Sequence, residues 1–237
     1  MCVDRLSDIF IPFIYILGGI YEFAHGGGTP IAYFGFPYDG EDGCSVDPTT
    51  GDLAVASGPD YYPALLIYHY RGNRKWGFAM SYKLPSMSKL TFCGYDNHGD
   101  LFVDGEYGSA FVMAELSKGS KTFGTISVSQ SITAPGQVQW DGKHLAIGDT
   151  GVSPSMIYQF DVSGGVAKKV GSTTLRDSTM VEQFWIRGGN VIAPDPKRSC
   201  GSGQSGCLAI YRYPAGGSAV KTIELTSAFG ATVSVAP

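Results

Sequence analysis

The sequence predicts an all-β protein, and three observations support this prediction. Five segments of similar pattern follow one another at intervals of about 45 residues, as in repeat architectures. Each segment contains short runs of β-branched and aromatic residues between Gly-containing turns. No long stretch keeps the 3.6-residue period of an amphipathic helix. The 33 Gly, 14 Tyr and 13 Phe, with only 16% charged residues, suit many short strands and tight turns.

A tight turn between two apolar strands opens every repeat. Asp, Asn and Gly dominate these turns, because they tolerate positive φ angles or hydrogen-bond to their own backbone. The flanking runs are short and β-branched or aromatic, so they are predicted to be strands. The five turn segments are Val3–Ile11, Ser45–Val55, Gly94–Val103, Gln139–Ile147 and Phe184–Ala193.

Two further strands complete each repeat. The third strand is apolar and aromatic, and it is predicted at Ile20–Phe23, Ile67–Tyr70, Val112–Glu115, Ile157–Phe160 and Ile210–Tyr213. A more polar fourth strand follows a Gly- or Ser-rich turn, for example at Lys121–Val128, Lys168–Thr174 and Val220–Leu225. Four strands whose polarity rises outward are typical of a propeller blade. The sequence therefore predicts a single β-propeller domain of four-stranded antiparallel blades, approximately at 1–41, 42–90, 91–135, 136–180 and 181–229.

The C-terminal residues 230–237 match the first strand of a further blade, although no partner strands follow. The chain is therefore expected to hold five full blades and one orphan inner strand. Either the closure is unusual, or the natural chain begins upstream of Met1 and the ring has six blades. We prefer the second interpretation.

The charge and hydropathy patterns exclude some classes of function. The net charge of −4 and the pI of about 5.5 argue against a nucleic-acid surface, which needs clustered Lys and Arg. The apolar run Ile9–Ile20 is too short to span about 30 Å of hydrocarbon, and Pro12 interrupts it, so it is predicted to form core strands. No signal peptide is recognised. We expect an extracytoplasmic monomer without a transmembrane segment.

Two groups of cysteines have different predicted roles. Six small or polar residues separate Cys200 from Cys207, a spacing that allows a disulfide closing one loop. Free thiols remain open as an alternative, whereas a zinc site lacks a second ligand pair. Cys2, Cys44 and Cys93 occupy nearly equivalent positions on three inner strands, where we expect small buried apolar side chains.

Four carboxylates are candidate ligand or metal residues at one mouth of the propeller. Asp104 and Glu106 follow the second strand of the third repeat, and Asp149 and Asp195 follow those of the fourth and fifth. Converging carboxylates could bind Ca²⁺ or Mg²⁺ or supply an acid–base pair. The alternative, which we favour, is that each carboxylate caps its own turn or is solvated. No cofactor is therefore expected beyond a possible Ca²⁺ or Mg²⁺.

The histidines and the repeated tyrosines indicate no catalytic site. His98 and His144 are placed at the mouth opposite the four carboxylates, which argues against a shared cluster. Tyr21, Tyr68 and Tyr158 recur with Tyr211 on the third strands, where packing between blades is expected rather than a sugar-stacking platform. No nucleophile elbow, P-loop or dinucleotide fingerprint occurs.

Two motifs resemble those of a known superfamily. They are Gly-x-x-Val-Asp-x-x-x-Gly-Asp-Leu-x-Val, from Gly43 to Val55, and Ile-Tyr-x-Tyr-Pro-Ala-Gly-Gly, from Ile210 to Gly217. They resemble bacterial propellers of the NHL-repeat and streptogramin-lyase-like superfamily, especially its uncharacterised exported members. The resemblance implies a propeller fold over the whole chain. The lyases of that superfamily use a His- and metal-dependent site at the mouth. No His occupies the corresponding positions here, so no functional residue is carried over.

The expected function is therefore non-enzymatic. A ring scaffold without a catalytic signature predicts a binding or interaction propeller that presents a surface at one mouth to a protein, peptide or glycan. The alternative is a metal-assisted lyase or hydrolase that uses Asp104, Glu106, Asp149 and Asp195.

Overall fold

The computed structural model describes residues 1–13, 19–35, 41–57, 63–71, 75–84, 86–201, 205–225 and 230–233. Within these residues the chain forms twenty strands and no helix. The strands fall into five successive sets of four, and within each set they pair antiparallel in chain order, which confirms the predicted architecture of β-propeller blades; the third and fourth sets belong to one eight-stranded sheet. We call these sheets blades 1 to 5.

The strands of each blade lie close to the predicted ranges. Blade 1 contains β1 (Cys2–Val3), β2 (Ile9–Phe13), β3 (Gly19–Phe23) and β4 (Pro30–Gly35); blade 2 contains β5 (Glu41–Val46), β6 (Leu53–Ser57), β7 (Ala64–Tyr70) and β8 (Trp76–Lys83); blade 3 contains β9 (Lys89–Tyr95), β10 (Leu101–Tyr107), β11 (Ala110–Leu116) and β12 (Gly124–Val128). Blade 4 contains β13 (Pro135–Trp140), β14 (Leu145–Asp149), β15 (Met156–Ser163) and β16 (Val166–Thr174); blade 5 contains β17 (Trp185–Arg187), β18 (Asn190–Ser199), β19 (Ser205–Arg212) and β20 (Lys221–Glu224).

The chain divides into two compact units, Met1–Ile126 and Ser127–Val233. In the first unit, one apolar cluster joins blades 1 and 2 around Phe10, Ile20 and Leu53, and another joins blades 2 and 3. In the second unit, a cluster that includes Phe184 and Tyr211 lies between blades 4 and 5. Burial of these faces explains why a single blade is not stable alone and neighbouring blades must pack together.

An aspartate fixes the turn between the first two strands in four blades. The side chains of Asp4, Asp47, Asp96 and Asp141 each accept a hydrogen bond from the backbone N–H two residues later, at 2.6–2.9 Å. Blade 5 has Arg187 at this position, and its turn instead uses Gly188 and Gly189 at positive φ. The predicted turn chemistry therefore holds in all five blades, by two different means.

A polar side chain on the inner strand connects neighbouring blades within each unit. The Ser45 hydroxyl accepts a hydrogen bond from the backbone N–H of Tyr95 at 3.0 Å. At the equivalent position in blade 4, the Gln139 amide accepts from the Ile186 N–H at 2.8 Å and donates to the Ile186 carbonyl at 3.1 Å. The side chain of Gln139 thus bonds to the next blade as a neighbouring strand would.

The register of the third strands corrects the predicted equivalence of four tyrosines. Tyr68 and Tyr211 lie opposite the first apolar residue of the second strand in blades 2 and 5, which is Leu53 and Val191, and both tyrosines are buried. In blades 1 and 4 that place belongs to a phenylalanine, and Tyr21 and Tyr158 lie two residues away. Tyr158 is buried, whereas Tyr21 is 37% exposed and its ring contacts Phe23 and Tyr33 of its own blade. Interblade packing of Tyr21 remains an expectation.

The cysteines also differ from expectation. Cys2, Cys44 and Cys93 are buried as predicted, but Cys2 and Cys44 form a disulfide that joins blades 1 and 2, with their Cα atoms 5.6 Å apart. Among the described residues Cys93 alone is a free thiol, and its burial raises its pKa to about 12. Of these three cysteines, only Cys93 serves as the small, buried apolar side chain that the sequence predicts.

Two other expectations concern the chain ends and the apolar N-terminal run. The run Ile9–Ile20 contributes to β2 and β3, with residues 14–18 outside the described residues. In the part of the chain that the structure describes, no helix is long and apolar enough to cross a membrane.

Residues 230–233 form no strand and residues 234–237 lie outside the described residues, so the orphan inner strand stays a prediction.

Candidate functional site

Each blade has two ends, which carry different chemistry. The turn end of a blade carries the hairpin between its first two strands. The loop end is the opposite one, where the second strand finishes and the inner strand begins. Asp149 is the last residue of β14 and lies at the loop end of blade 4. The prediction that Asp104, Glu106 and Asp195 follow the second strand is wrong, because Asp104 and Glu106 lie within β10 and Asp195 lies within β18.

Two of these carboxylates hold the loops of their own blades. Asp149 and Asp195 are both almost completely buried, and each accepts three backbone N–H hydrogen bonds. The donors are Thr133, Ala134 and Gly151 for Asp149, and Thr179, Lys197 and Arg198 for Asp195. With these bonds in place, most of the oxygen lone pairs of both groups are committed to the protein itself.

Asp104 is in a different environment from the other two. It is completely buried, and only one of its oxygens has a hydrogen bond, from the Phe92 N–H at 3.0 Å. The second oxygen, Oδ2, has no hydrogen-bond partner among the described residues. Burial raises the pKa of Asp104 well above its ordinary value of 3.8, against the effect of the Phe92 bond, and the charge of Glu106 raises it further. Asp104 is therefore a poor candidate for an ionised ligand to a cation.

Glu106 lies half-buried two residues after Asp104 on β10. Among the described residues, no three His, Cys, Asp or Glu side chains come together as a metal site would require. The contacts of Asp149 and Asp195 correspond to the alternative interpretation, in which each carboxylate caps its own loop. That the four carboxylates together bind a ligand or a metal ion remains an expectation.

A groove of about 330 Å³ opens at the turn ends of blades 2 and 3, within the first unit. We call it the blade 2–3 groove. Its volume is in the range of small-molecule pockets. Its polar lining includes Asp47, Asp52, His69, Tyr82, Tyr95 and Lys118.

Local turn structure brings the carboxylates to this groove. Asp47 holds its turn through hydrogen bonds from the backbone and hydroxyl groups of Thr49 and Thr50. Burial opposes the ionisation of Asp47, but these bonds outweigh it and lower its pKa below 3.8. Asp52 follows the turn and reaches the third strand, where it contacts His69 Nδ1 at 2.7 Å and accepts a hydrogen bond from the Tyr70 N–H at 3.2 Å.

Two tyrosine hydroxyls of the groove are uncommitted. Neither Tyr82 nor Tyr95 has a hydrogen-bond partner for its hydroxyl among the described residues. Burial and then the nearby charges, including those of Asp47 and Asp52, raise the pKa of Tyr95. The hydroxyl of Tyr95 therefore stays protonated and lies in the negative field of both carboxylates.

The remaining surface of the groove is apolar. Ile67, Leu101 and Leu116 are buried and line it, and Met80 is 42% exposed at its edge. The Tyr82 ring is held by an edge-to-face contact with Phe123, with the ring centroids 5.5 Å apart. The groove therefore combines an apolar surface with carboxylates and free hydroxyls.

Other side chains with potential chemistry are used structurally. His98 contacts its own turn aspartate, Asp96, at 3.4 Å, and His144 lies 3.3 Å from Asp161. Cys200 and Cys207 are joined as a disulfide within blade 5, with their Cα atoms 5.7 Å apart. None of these residues lines the groove.

Sequence reasoning did not single out the groove residues. The motif from Gly43 to Val55 contains Asp47 and Asp52, but it was interpreted only as turn structure. One signal for the groove is the contact between Asp52 and His69. The two residues are 17 positions apart, and they come together only through the register in which β6 pairs with β7, which the sequence pattern alone does not give.

No protein-family profile matches the chain, and no curated protein matches it. Solved structures do match. One is a hydrazine synthase chain from Kuenenia stuttgartiensis, with a TM-score of 0.62 and 13% identity over 90% of this chain and 62% of that chain. Another is a functionally unknown protein from Desulfotomaculum acetoxidans, with a TM-score of 0.62 and 13% identity over 97% of this chain and 73% of that one.

TolB from Acinetobacter baumannii is a third match, with a TM-score of 0.55 and 12% identity over 84% of this chain and 47% of that chain. The chain thus spans less than two thirds of the hydrazine synthase chain and less than half of TolB. At these identities the likeness shows the fold alone, and the β-propeller of TolB agrees with the blade architecture.

Proposed function

We propose that the protein is a non-enzymatic interaction propeller that binds its ligand in the blade 2–3 groove. One observation carries this proposal: a groove of about 330 Å³ in the first unit is lined by apolar side chains together with Asp47, Asp52, Tyr82 and Tyr95. The groove therefore has the composition of a binding site, with an apolar surface and a few polar groups that fix orientation.

The alternative, a metal-assisted lyase or hydrolase at the loop ends, has less support. Such an enzyme needs carboxylates with free lone pairs and a controlled ionisation state. The oxygens of Asp149 and Asp195 already accept hydrogen bonds from backbone N–H groups, and burial favours the protonated form of Asp104.

The wider setting is also part of the proposal. A protein, a peptide or a glycan can each present a group small enough for the groove. Two disulfides, Cys2–Cys44 and Cys200–Cys207, support an oxidising, extracytoplasmic location. Membership of the NHL-repeat and streptogramin-lyase-like superfamily would be compatible with this function but is not required by it.

A thermal-melting panel tests whether the groove binds ligands. Four small probes represent different chemistries: n-pentylamine, pentanoate, 1-pentanol and glucose, each at millimolar concentration. A ligand that binds the folded state raises the melting temperature. Met80→Trp fills the edge of the groove from an exposed position and serves as the blocked control.

The proposal predicts that at least one probe raises the melting temperature of the wild type and not of Met80→Trp. It is refuted if no probe does so, or if the shifts are equal in both proteins. A lyase or hydrolase activity of the wild type that Glu106→Gln abolishes, with melting unchanged, would favour the enzymatic alternative instead.

A further inference from the structure

We infer that the ligand of the blade 2–3 groove is an organic ammonium ion, with a positively charged nitrogen on an apolar body. This inference rests on the proposed function and names the chemical class that the groove selects. Its basis is the combination of carboxylates, tyrosine rings and apolar side chains around one space.

The charge of the groove favours a cation. Two carboxylates, Asp47 and Asp52, line it, against one ammonium group from Lys118. Counting only the carboxylates and the ammonium group, the formal charge of the lining is −1. The Lys118 ammonium is itself engaged, because it donates to the Thr49 hydroxyl at 2.7 Å. A pentanoate carboxylate would therefore meet net repulsion, whereas an ammonium would be attracted.

The tyrosines add to this preference. The Tyr95 hydroxyl lies in the field of both carboxylates and has a lone pair to offer to an N–H donor. Both tyrosines line the groove, and an aromatic ring whose face is open to a cation attracts it through its quadrupole. A neutral alcohol gains the hydrogen bond but not the attraction of the charges.

The apolar surface defines the rest of the ligand. Ile67, Leu101 and Leu116 offer contacts for a chain of several carbons, and Met80 lies at the opening. A bare metal ion would not use this surface. Asp47 is also occupied by its threonine hydrogen bonds, so it retains charge but few lone pairs for direct coordination.

The nitrogen has two possible sources, a free amine or a lysine side chain of a peptide. Both share the alkylammonium group, so the experiment includes n-pentylamine and Nα-acetyl-lysine methylamide. Binding of both indicates recognition of lysine in proteins. Binding of pentylamine alone indicates a small-molecule amine.

Charge substitution at Met80 tests the electrostatic argument without touching a buried residue. Met80→Glu adds a negative charge at the groove edge, Met80→Lys adds a positive one, and Met80→Gln is the matched neutral control. A unit charge several ångströms away in a wet environment changes affinity by about three- to tenfold. We expect titration calorimetry with n-pentylamine to give the tightest binding for Met80→Glu and the weakest for Met80→Lys.

The outcomes separate the two proposals. Equal affinities of pentylamine and pentanol, or equal affinities of the three Met80 variants for pentylamine, overturn the ammonium inference. Groove-dependent binding of glucose or pentanoate, without binding of either amine, leaves the proposed function standing and removes the inference. Groove-dependent binding of no probe removes both.

Discussion

Asp104→Asn should make the protein more stable at neutral pH, and more so as pH rises. The carboxyl is completely buried, and one oxygen lacks a partner. Burial, with help from the charge of Glu106, raises its pKa well above 3.8. A group whose pKa is raised in the folded state stabilises it fully below the unfolded value and progressively loses that contribution as pH rises to the folded pKa. Between the unfolded and the folded pKa of Asp104, each pH unit lowers the unfolding free energy of the wild type by about 1.4 kcal/mol.

Asparagine keeps the acceptor for the Phe92 N–H and cannot ionise. The difference in unfolding free energy between Asp104→Asn and wild type should therefore grow by about 1.4 kcal/mol per pH unit above 3.8, until it levels off at the folded pKa. Asp47 and Asp141, whose pKa values are lowered, keep their full contribution above 3.8 and add no slope there. Comparison with wild type cancels the titration of groups common to both proteins.

Urea denaturation of both proteins at about pH 4.5, 5.5, 6.5 and 7.5 measures this difference in unfolding free energy at steps of about one pH unit above 3.8. Asp149→Asn is the matched control of opposite sign. Its carboxylate accepts three N–H bonds, and an amide nitrogen facing one of those donors should destabilise the fold by about 1–3 kcal/mol. A difference for Asp104→Asn that does not change with pH would refute the reasoning.

Three further predictions concern contacts within and between blades, and urea denaturation measures each. Removing the 42-residue disulfide with Cys44→Ala should cost about 4 kcal/mol, against about 2.5 for the 7-residue one with Cys200→Ala; equal costs would contradict the loop-entropy argument. Gln139→Leu should cost roughly 2–4 kcal/mol, because it leaves an N–H and a carbonyl of the next blade unpaired. Tyr213→Phe should cost about 1.5–3 kcal/mol by removing the 2.6 Å bond to ionised Asp141, and a neutral result would show that water replaces the hydroxyl.

The architecture was predictable because local chemistry repeats. Asp4, Asp47, Asp96 and Asp141 mark the same turn, and the apolar runs around them have the period and length of strands. A short β-hairpin fixes its own register, so the first two strands of each blade follow directly from sequence. That is why the predicted turn ranges and the observed strand pairs agree in all five blades.

Features that depend on longer connections were less predictable. The third strands look alike as Ile-Tyr-x-aromatic, yet Tyr21 and Tyr158 are two residues out of register with Tyr68 and Tyr211. The loop between the second and third strands sets that register, and its length varies between blades. The Cys2–Cys44 disulfide likewise requires two inner strands from different blades to lie together, which spacing alone does not reveal.

Sequence alone does not identify the groove, because carboxylates at both ends of the blades form structural hydrogen bonds. At the loop ends, Asp149 and Asp195 satisfy backbone donors. At the turn ends, Asp8 and Asp100 each accept a hydrogen bond from a backbone N–H just after the third strand, and Asp52 accepts one from the last residue of the third strand in blade 2. Sequence alone cannot say which of these charges also faces an open space.

The negative charge of the blade 2–3 groove is therefore a consequence of turn chemistry. Asp47 closes a hairpin and Asp52 ties that hairpin to the third strand, so the fold would need both even if nothing bound there. Replacing Asp47 would remove the charge and the turn together, and a loss of binding would have no clear cause. Met80 has no structural duty of this kind, since it is 42% exposed and lies at the edge of the same space. Recognition must consequently be probed there, because it is the position where charge can change while the hairpins that create the groove stay intact.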